Sequence, residues 1–89
     1  MPRQEKGTRV IDGDTFETNV RSRPIRLARV DTPERGEPGH SRARDALQAL
    51  IGGRRVSIDT KARDTYGRAV ALVSVGGKSV NKQMQKYGK

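Results

Sequence analysis

Apolar residues recur along the chain in short runs that alternate with polar residues, a pattern typical of β-strands with one buried face. Turn-forming pairs at residues 12–13 and 76–77 follow two of these runs. Val56 and Ile58, for example, alternate with polar neighbours. The pattern predicts five strands, at residues 8–11, 15–20, 25–30, 54–59 and 68–75.

Two other segments have helical spacing. Over residues 41–51 the apolar positions recur every three or four residues, with Ser41 as the expected N-cap and Gly52-Gly53 as the stop. Residues 80–87 repeat this spacing and predict a short C-terminal helix. So short a helix is marginal by itself, so we expect it to pack on the rest of the protein.

This order of elements predicts a mainly β (α+β) fold, a five-stranded barrel of the OB type with one helix between strands 3 and 4 and a short C-terminal helix. A closed barrel removes exposed strand edges with few residues. A parallel βαβ sheet fits less well, because the strands cluster instead of alternating with helices. We expect a single domain over residues 8–89, preceded by a disordered polar lead-in at residues 1–7.

Composition limits the kinds of protein that this chain can be. Val, Ile, Leu and Phe supply 17 of the 89 residues and the formal charge is +9, so bulk hydrophobicity alone would place the chain near the disorder boundary. The excess of 19 basic over 10 acidic residues favours a polyanionic partner, either nucleic acid or an anionic membrane surface. Composition does not choose between these two.

Other classes are excluded. The absence of cysteine rules out a disulfide scaffold and a thiolate zinc site, and the single histidine rules out a histidine metal cluster. The longest aliphatic run, residues 69–73, is far shorter than a membrane span. Residues 1–9 lack the apolar stretch of a signal peptide, so we expect a cytoplasmic protein, or an exported one if a leader was removed.

Three clusters of charged residues lie at predicted turns. The first, D-G-D at residues 12–14, is by itself usually only a hairpin turn. In the second, a strand ends at Asp31 and Pro33 extends the chain before Glu34, so that two carboxylates and the Thr32 carbonyl emerge together. Such oxygens suit a hard cation such as Ca²⁺ or Mg²⁺, although a capped strand end with solvated acids is the alternative.

The third cluster, D-T-Y-G-R at residues 64–68, places an arginine behind a glycine that permits a tight turn. Together with V-I-D-G-D-T at 10–15, I-R-L-A-R-V-D-T-P-E at 25–34 and G-K-S-V-N at 77–81, it resembles the staphylococcal-nuclease-like (thermonuclease) family in order and spacing. The resemblance spans roughly residues 8 to 88. It implies an OB-type barrel that hydrolyses phosphodiester bonds in DNA and RNA with Ca²⁺.

The resemblance also implies roles for single residues. By their positions in the motifs, Asp14 and Asp31 resemble the carboxylate ligands of the metal, and Thr32 resembles its backbone carbonyl ligand. Glu34 resembles the residue that orients or deprotonates the attacking water.

The remaining motif positions concern the substrate. Arg26 and Arg68 resemble the two guanidinium groups that hold the scissile phosphate and stabilise its developing charge, and Tyr66 resembles a substrate contact beside it. Planar guanidinium groups match two phosphate oxygens better than lysine does.

The substrate is expected to be DNA or RNA, with single-stranded or unpaired regions favoured, bound by a monomer. The only aromatic residues are Phe16, Tyr66 and Tyr87, so we expect little base stacking and no sequence specificity. Other basic residues are equally well interpreted as a nucleic-acid track or as a solvated face, namely Arg21, Arg23, Arg29, Arg54, Arg55 and Lys61.

Relatives usually continue beyond the V-N segment, with further tyrosines and a closing helix. We expect this chain, which ends at Lys89, to lack that extension and to have impaired activity. Two other functions stay open: an OB-type module that binds nucleic acid without cutting it, and a protein that associates with anionic membranes through its basic face.

Overall fold

The computed structural model describes residues 3–88 as a closed ring of five strands with two short helices. The strands are β1 (Arg3–Asp12), β2 (Thr15–Thr18), β3 (Ile25–Leu27), β4 (Arg55–Arg63), β5 (Ala69–Val75) and the two-residue β6 (Lys78–Ser79). The helices are α1 (His40–Ile51) and α2 (Val80–Met84), and a 3₁₀ turn, Gln85–Tyr87, follows α2.

Strand pairing closes the ring. β1 pairs antiparallel with both β2 and β4, β2 pairs with β3, and β4 pairs with β5. A parallel pairing of β3 with β5 joins the two ends, and β6 extends the edge of β5. This confirms the predicted mainly β fold of the OB type, with one helix between the third and fourth strands and a short helix near the C-terminus.

The core fills the ring and the space beneath α1. Its largest fully buried side chains include Phe16, Ile25, Leu27 and Ile58 from the strands. Of the apolar face that the helical spacing predicted for α1, Ala43, Leu47 and Ile51 are buried, whereas Ala46 and Leu50 are half-buried. His40, the first residue of the helix, is buried as well. No helix among residues 3–88 is long and apolar enough to cross a membrane.

The disordered lead-in predicted for residues 1–7 is wrong for residues 3–7, which form the first half of β1. This half pairs with β4, and it carries the buried carboxylate of Glu5. Thr18 Oγ1 donates a 2.6 Å hydrogen bond to Glu5, and Arg21 Nε lies 2.9 Å from it. The strand tolerates a buried polar residue here because Glu5 finds its hydrogen-bond and ion-pair partners on other segments of the chain. Residues 1–2, and Lys89 at the other end of the predicted domain, lie outside the described residues.

Several element ends also differ from the prediction. β3 stops at Leu27 instead of residue 30, and Arg29 just beyond it has a positive φ of 62°. Helix α1 begins at His40 with Gly39 as its N-cap, at φ 89°, so Ser41 is not the cap. β4 continues to Arg63 through a register shift, beyond the predicted end at residue 59.

Helix α2 packs on the sheet through Val80 and Met84 and is hydrogen-bonded to it by the buried side chain of Asn81. Asn81 accepts a 2.7 Å hydrogen bond from Val73 N and donates to the carbonyl oxygens of Ala28 and Ala71, at 3.0 Å each. The Asn81 side chain therefore links α2, β5 and the segment that follows β3. This segment leads to Asp31 and Thr32.

Candidate active site

The D-G-D turn joins β1 to β2 and packs against two other elements. A Cβ at Gly13 would lie 2.6 Å from Ala43 Cβ and 2.7 Å from Thr32 Oγ1, so only glycine permits this contact. The turn is further fixed where Leu27 N donates a 2.8 Å hydrogen bond to the Asp14 carbonyl. These contacts bring Asp14 beside the segment that follows β3.

Asp14 is the centre of the site. It is only 7% exposed, and its carboxylate accepts hydrogen bonds from Thr15 Oγ1 at 2.9 Å and from Thr32 N at 3.3 Å. The Asp14 backbone N–H, in turn, donates to Asp12 Oδ1 at 3.3 Å. A buried carboxylate with these partners is held in one orientation.

Burial raises the pKa of Asp14 above the usual 3.8, and the hydrogen bond and like charge of Asp12 raise it further. The hydrogen bonds from Thr15 and Thr32 favour the ionised form and lower the pKa, but they do not cancel the increase. Arg26, at 3.5 Å, is also positioned to favour ionisation. Asp14 is therefore a carboxylate that gains from any additional positive charge placed next to it.

Arg26 connects Asp14 to Asp31. Its Nη2 lies 3.5 Å from Asp14 Oδ2 and 3.9 Å from Asp31 Oδ1, and its Nη1 donates to the Leu27 carbonyl at 3.1 Å. The Asp31 side chain is 73% exposed, in contrast to that of Asp14. One guanidinium thus serves two carboxylates, one buried and one open to solvent.

Arg68 approaches the same cluster from the turn between β4 and β5. Asp64 accepts hydrogen bonds from Tyr66 N at 3.0 Å, from Arg68 N at 2.9 Å and from Arg68 Nε at 2.6 Å. Desolvation works against ionisation of Asp64, but the bonds from Arg68 and Tyr66 outweigh it and lower the pKa below 3.8. Arg68 Nη1 reaches Thr15 Oγ1 at 3.4 Å, and Thr15 in turn donates to Asp14.

Tyr66 and Glu34, which were also predicted as site residues, are exposed at the edge of the charged cluster. Tyr66 is 80% exposed, and its ring lies 5.3 Å from the Arg68 guanidinium. Glu34 lies on the exposed loop before α1, where its N–H donates to Glu37 Oε1 at 2.6 Å. Within residues 3–88, no hydrogen bond or ion pair joins the Glu34 carboxylate to Asp14, Asp31 or the two arginines.

The oxygen donors near Asp14 fit a hard cation in their chemistry. Asp14 and Asp31 share one positively charged partner, and Thr32 Oγ1, which is buried beside the turn, has no hydrogen-bond partner in the described part of the chain. Carboxylate, hydroxyl and carbonyl oxygens are the ligands of Ca²⁺ and Mg²⁺. Across residues 3–88, no three acidic or histidine side chains form a ready metal cluster.

Three contributors were not among the predicted site residues. Asp12 raises the pKa of Asp14, Thr15 links Asp14 to Arg68, and Asp64 holds the Arg68 side chain. All three lie inside the motifs at 10–15 and 64–68, so their positions were a usable signal. What the sequence did not indicate was which polar side chains of each motif turn inward to support their neighbours.

The chain is similar to one family model and to several bacterial proteins. The family model described as "Staphylococcal nuclease homologue" matches residues 24–89. The chain is 41% identical over 69 residues to protein ParB of Escherichia coli, which covers 75% of this chain and 39% of that protein. It is 40% identical over 67 residues to micrococcal nuclease of Shigella flexneri, covering 73% and 38% of the two chains.

An uncharacterized endonuclease of Escherichia coli O157:H7 is 34% identical over 83 residues, which is 90% of this chain and 54% of that protein. The chain thus matches about two fifths to one half of the length of these relatives. The family model spans β3, α1, β4 and β5 with the segments that join them, and so includes Arg26, Asp31 and Arg68 but not Asp14.

Proposed function

Because this chain belongs to the family of staphylococcal nuclease homologues, we propose that it is a nuclease that hydrolyses phosphodiester bonds in DNA and RNA, depends on Ca²⁺ and has little sequence specificity. One observation carries the proposal. Asp14, Arg26 and Asp31 come from two separate motifs and form one charged cluster, and Arg68 joins it through Thr15 from a third motif. A purely structural role for four charged groups would not require them to meet at an open surface.

The two arginines are proposed to hold the scissile phosphate. Arg26 approaches the cluster from β3 and Arg68 from the turn between β4 and β5, and each guanidinium offers a planar pair of N–H donors. Phosphoryl oxygens gain negative charge as the bond to the leaving oxygen breaks, and preorganised positive groups stabilise that charge. Removing one such donor commonly lowers the rate by roughly 10²- to 10³-fold.

Asp14, Asp31 and the Thr32 carbonyl are the residues that would hold Ca²⁺, which would supply charge neutralisation to the phosphate and to the attacking water. Two carboxylates alone leave much of a calcium shell to water and substrate, so we expect weak binding without substrate. Asp12 and Thr15 would act as positioning residues, because they contact Asp14 and not the solvent-facing side of Asp31.

Glu34 is proposed to take the proton from the attacking water. Its exposed loop position leaves the carboxylate able to turn toward Asp31, which lies three residues earlier in the same segment. In the absence of substrate, catalytic hydrogen bonds are often long or unformed, so the missing contact to the cluster does not argue against this role.

The test is digestion of single-stranded DNA with Ca²⁺ and, in parallel, with a calcium chelator. We expect Ca²⁺-dependent cleavage that Glu34→Gln, Arg26→Ala and Arg68→Ala each reduce by at least roughly 10²-fold. Glu17→Gln is the matched control, because it makes the same chemical change on β2, where Glu17 forms an exposed ion pair with Arg9 at 3.7 Å. Cleavage that ignores the chelator, or full activity of Glu34→Gln, would contradict the proposal.

A second candidate is an OB-type module that binds nucleic acid without cutting it. The observation that favours it is the separation of Glu34 from the charged cluster. Binding of a labelled oligonucleotide distinguishes the two. The module would bind equally well with Ca²⁺ or chelator, and Asp14→Ala would leave affinity unchanged or higher because a negative charge is lost.

A further inference from the structure

A second basic surface lies beside the candidate active site. It is a groove of about 650 Å³ between the start of β1, the loop from β2 to β3 and the end of β4. Four arginines line it, Arg3, Arg21, Arg23 and Arg63, and none of its lining residues is acidic. We call this surface the arginine groove.

One of these arginines has a structural task. Arg21 pairs with the buried Glu5 carboxylate at 2.9 Å, and its Nη1 donates to Thr60 Oγ1 at 3.4 Å. Its charge is therefore largely neutralised by Glu5. These contacts fasten the loop from β2 to β3 against β1 and β4 and so give the groove a fixed wall.

The other three arginines keep their charge. Within residues 3–88, Arg3, Arg23 and Arg63 form no ion pair with a carboxylate. Arg63 Nη1 donates to the Gly67 carbonyl at 3.1 Å. The Arg23 guanidinium packs so closely on Gly67 that a Cβ there would collide with it. Two unpaired guanidinium groups thus meet at Gly67, where an anion would relieve their repulsion.

The position of Gly67 links the arginine groove to the candidate active site. It lies between Tyr66 and Arg68, and Arg68 is the proposed partner of the scissile phosphate. From this continuity we infer that the arginine groove binds backbone phosphates of the nucleotides next to the cleaved bond. The inference rests on the proposed function, and it assigns to the protein a preference for polynucleotides over short fragments.

Chemistry and shape both favour a nucleic-acid backbone as the occupant. The planar guanidinium group of arginine pairs with two phosphate oxygens at once. A groove that contacts phosphates and not base edges binds nucleic acid independently of its sequence. A second phosphate site lengthens the stretch of nucleic acid that the protein contacts, and OB folds typically bind roughly 4 to 16 nucleotides. A membrane surface would use the same charges but would not require them to meet at Gly67, the residue before Arg68.

Binding is measured in chelator, where no cleavage occurs, with labelled single-stranded oligonucleotides of roughly 4 and 16 nucleotides. We expect the intact protein to prefer the longer one. Arg23→Ala/Arg63→Ala should weaken binding of the longer oligonucleotide by about tenfold and lower its salt slope by about 1.4. Arg23→Lys/Arg63→Lys should recover much of the loss, because the charge is retained.

The matched control is Lys78→Ala/Lys82→Ala, which removes the same charge outside the groove. Lys78 pairs with Val75, at the end of β5 opposite to the groove residue Ala69, and Lys82 lies on α2. The inference is overturned if both double variants lose affinity equally, or if the arginine variant, shown to be folded by thermal unfolding, keeps the preference for length. It is also overturned if the arginine variant loses binding only to anionic vesicles. Failure of the proposed function would appear instead as an absence of cleavage with Ca²⁺ while this length preference persists.

Discussion

Asp14 combines burial with a neighbouring like charge, so its ionised form is costly in the metal-free protein. The pKa of Asp14 is raised in the folded state, so the folded protein holds the proton more tightly than the unfolded chain does. Above the folded pKa the ionised carboxylate therefore lowers stability. As the pH falls from the folded pKa toward 3.8, the protein recovers that stability.

Asp14→Asn is therefore expected to raise the free energy of unfolding at neutral pH in chelator. The amide keeps an oxygen for Thr32 N and can donate to Thr15, so both hydrogen bonds survive. Urea unfolding across pH checks this, and the advantage of the variant should vanish as the pH approaches 3.8. Asp31→Asn, at an exposed carboxylate, is the control with a smaller effect. A less stable Asp14→Asn protein at neutral pH would contradict the argument.

Asp64 shows the opposite behaviour. Its hydrogen bonds lower the pKa below 3.8, so its ionised form stabilises the fold above that pH, and the stabilisation is lost as the pH falls through the lower folded pKa. Asp64→Asn should lower the melting temperature at neutral pH, and the gap to the original protein should narrow in acid. It should also lower cleavage, because the Arg68 side chain loses its charged partner.

Thermal unfolding of both proteins between neutral pH and strongly acidic pH measures that gap. Asp59→Asn, on the neighbouring strand β4, is a suitable control, since the half-buried Asp59 pairs with the exposed Lys61 at 2.9 Å. A constant gap across the whole pH range would show that the carboxylate charge of Asp64 does not contribute.

At the scale of elements, the first half of β1 depends on the Glu5 carboxylate. Glu5 is 3% exposed, and Arg21 is its charged partner. Removing one member of a buried ion pair leaves the other unpaired and costs about 3 to 5 kcal/mol. Glu5→Ala should therefore destabilise the protein by roughly that amount, with the loss measured by urea unfolding.

The exposed pair Arg9 and Glu17, at 3.7 Å, offers a direct comparison. Surface pairs contribute about 0 to 1 kcal/mol, so Glu17→Ala should have a small effect. If Glu5→Ala and Glu17→Ala lower the free energy of unfolding by the same small amount, the ion pair of Glu5 does not stabilise the first half of β1, and its backbone pairing with β4 holds it in place.

Apolar periodicity and turn residues predicted most elements, because they are local signals, whereas the roles of Asp14, Arg26 and Arg68 were implied by the resemblance of their motifs to a known family. The prediction from sequence failed where contacts with residues distant in the chain determine the local structure. The strand at residues 3–7 is polar, and its inward carboxylate is satisfied by Thr18 and Arg21, which no local pattern indicates. The start of α1 at His40 likewise depends on the positive φ of Gly39, which displaces Ser41 from the cap.

Over the whole molecule, which has a formal charge of +9, some basic residues are paired with carboxylates and others are not. Arg21, Arg26 and Arg68 are paired with carboxylates, whereas Arg3, Arg23 and Arg63 keep their charge in the arginine groove. A field of this sign accelerates encounter with a polyanion and weakens as salt rises. Low hydrophobicity therefore accompanies a folded barrel whose surface carries unpaired positive charge.

The same pairing predicts that calcium and phosphate stabilise the protein jointly. Arg26 bridges Asp14 and Asp31, so it is released to bind a phosphate only when another cation neutralises those carboxylates. Each ligand should then improve the binding of the other, by reciprocal linkage. A ligand at about 100 times its dissociation constant adds roughly 2.7 kcal/mol of stability.

We therefore expect Ca²⁺ and a short phosphorothioate oligonucleotide to raise the melting temperature together by more than the sum of their separate effects. Asp31→Asn should remove the part that depends on both ligands, because it takes away a proposed calcium ligand that is also one of the two carboxylates paired with Arg26, while stabilisation by the oligonucleotide alone persists. Asp45→Asn on α1, where the carboxylate pairs with Arg44 at 3.4 Å, should leave the joint effect intact. Strictly additive shifts in the original protein would show that Arg26 does not exchange between the carboxylates and the phosphate.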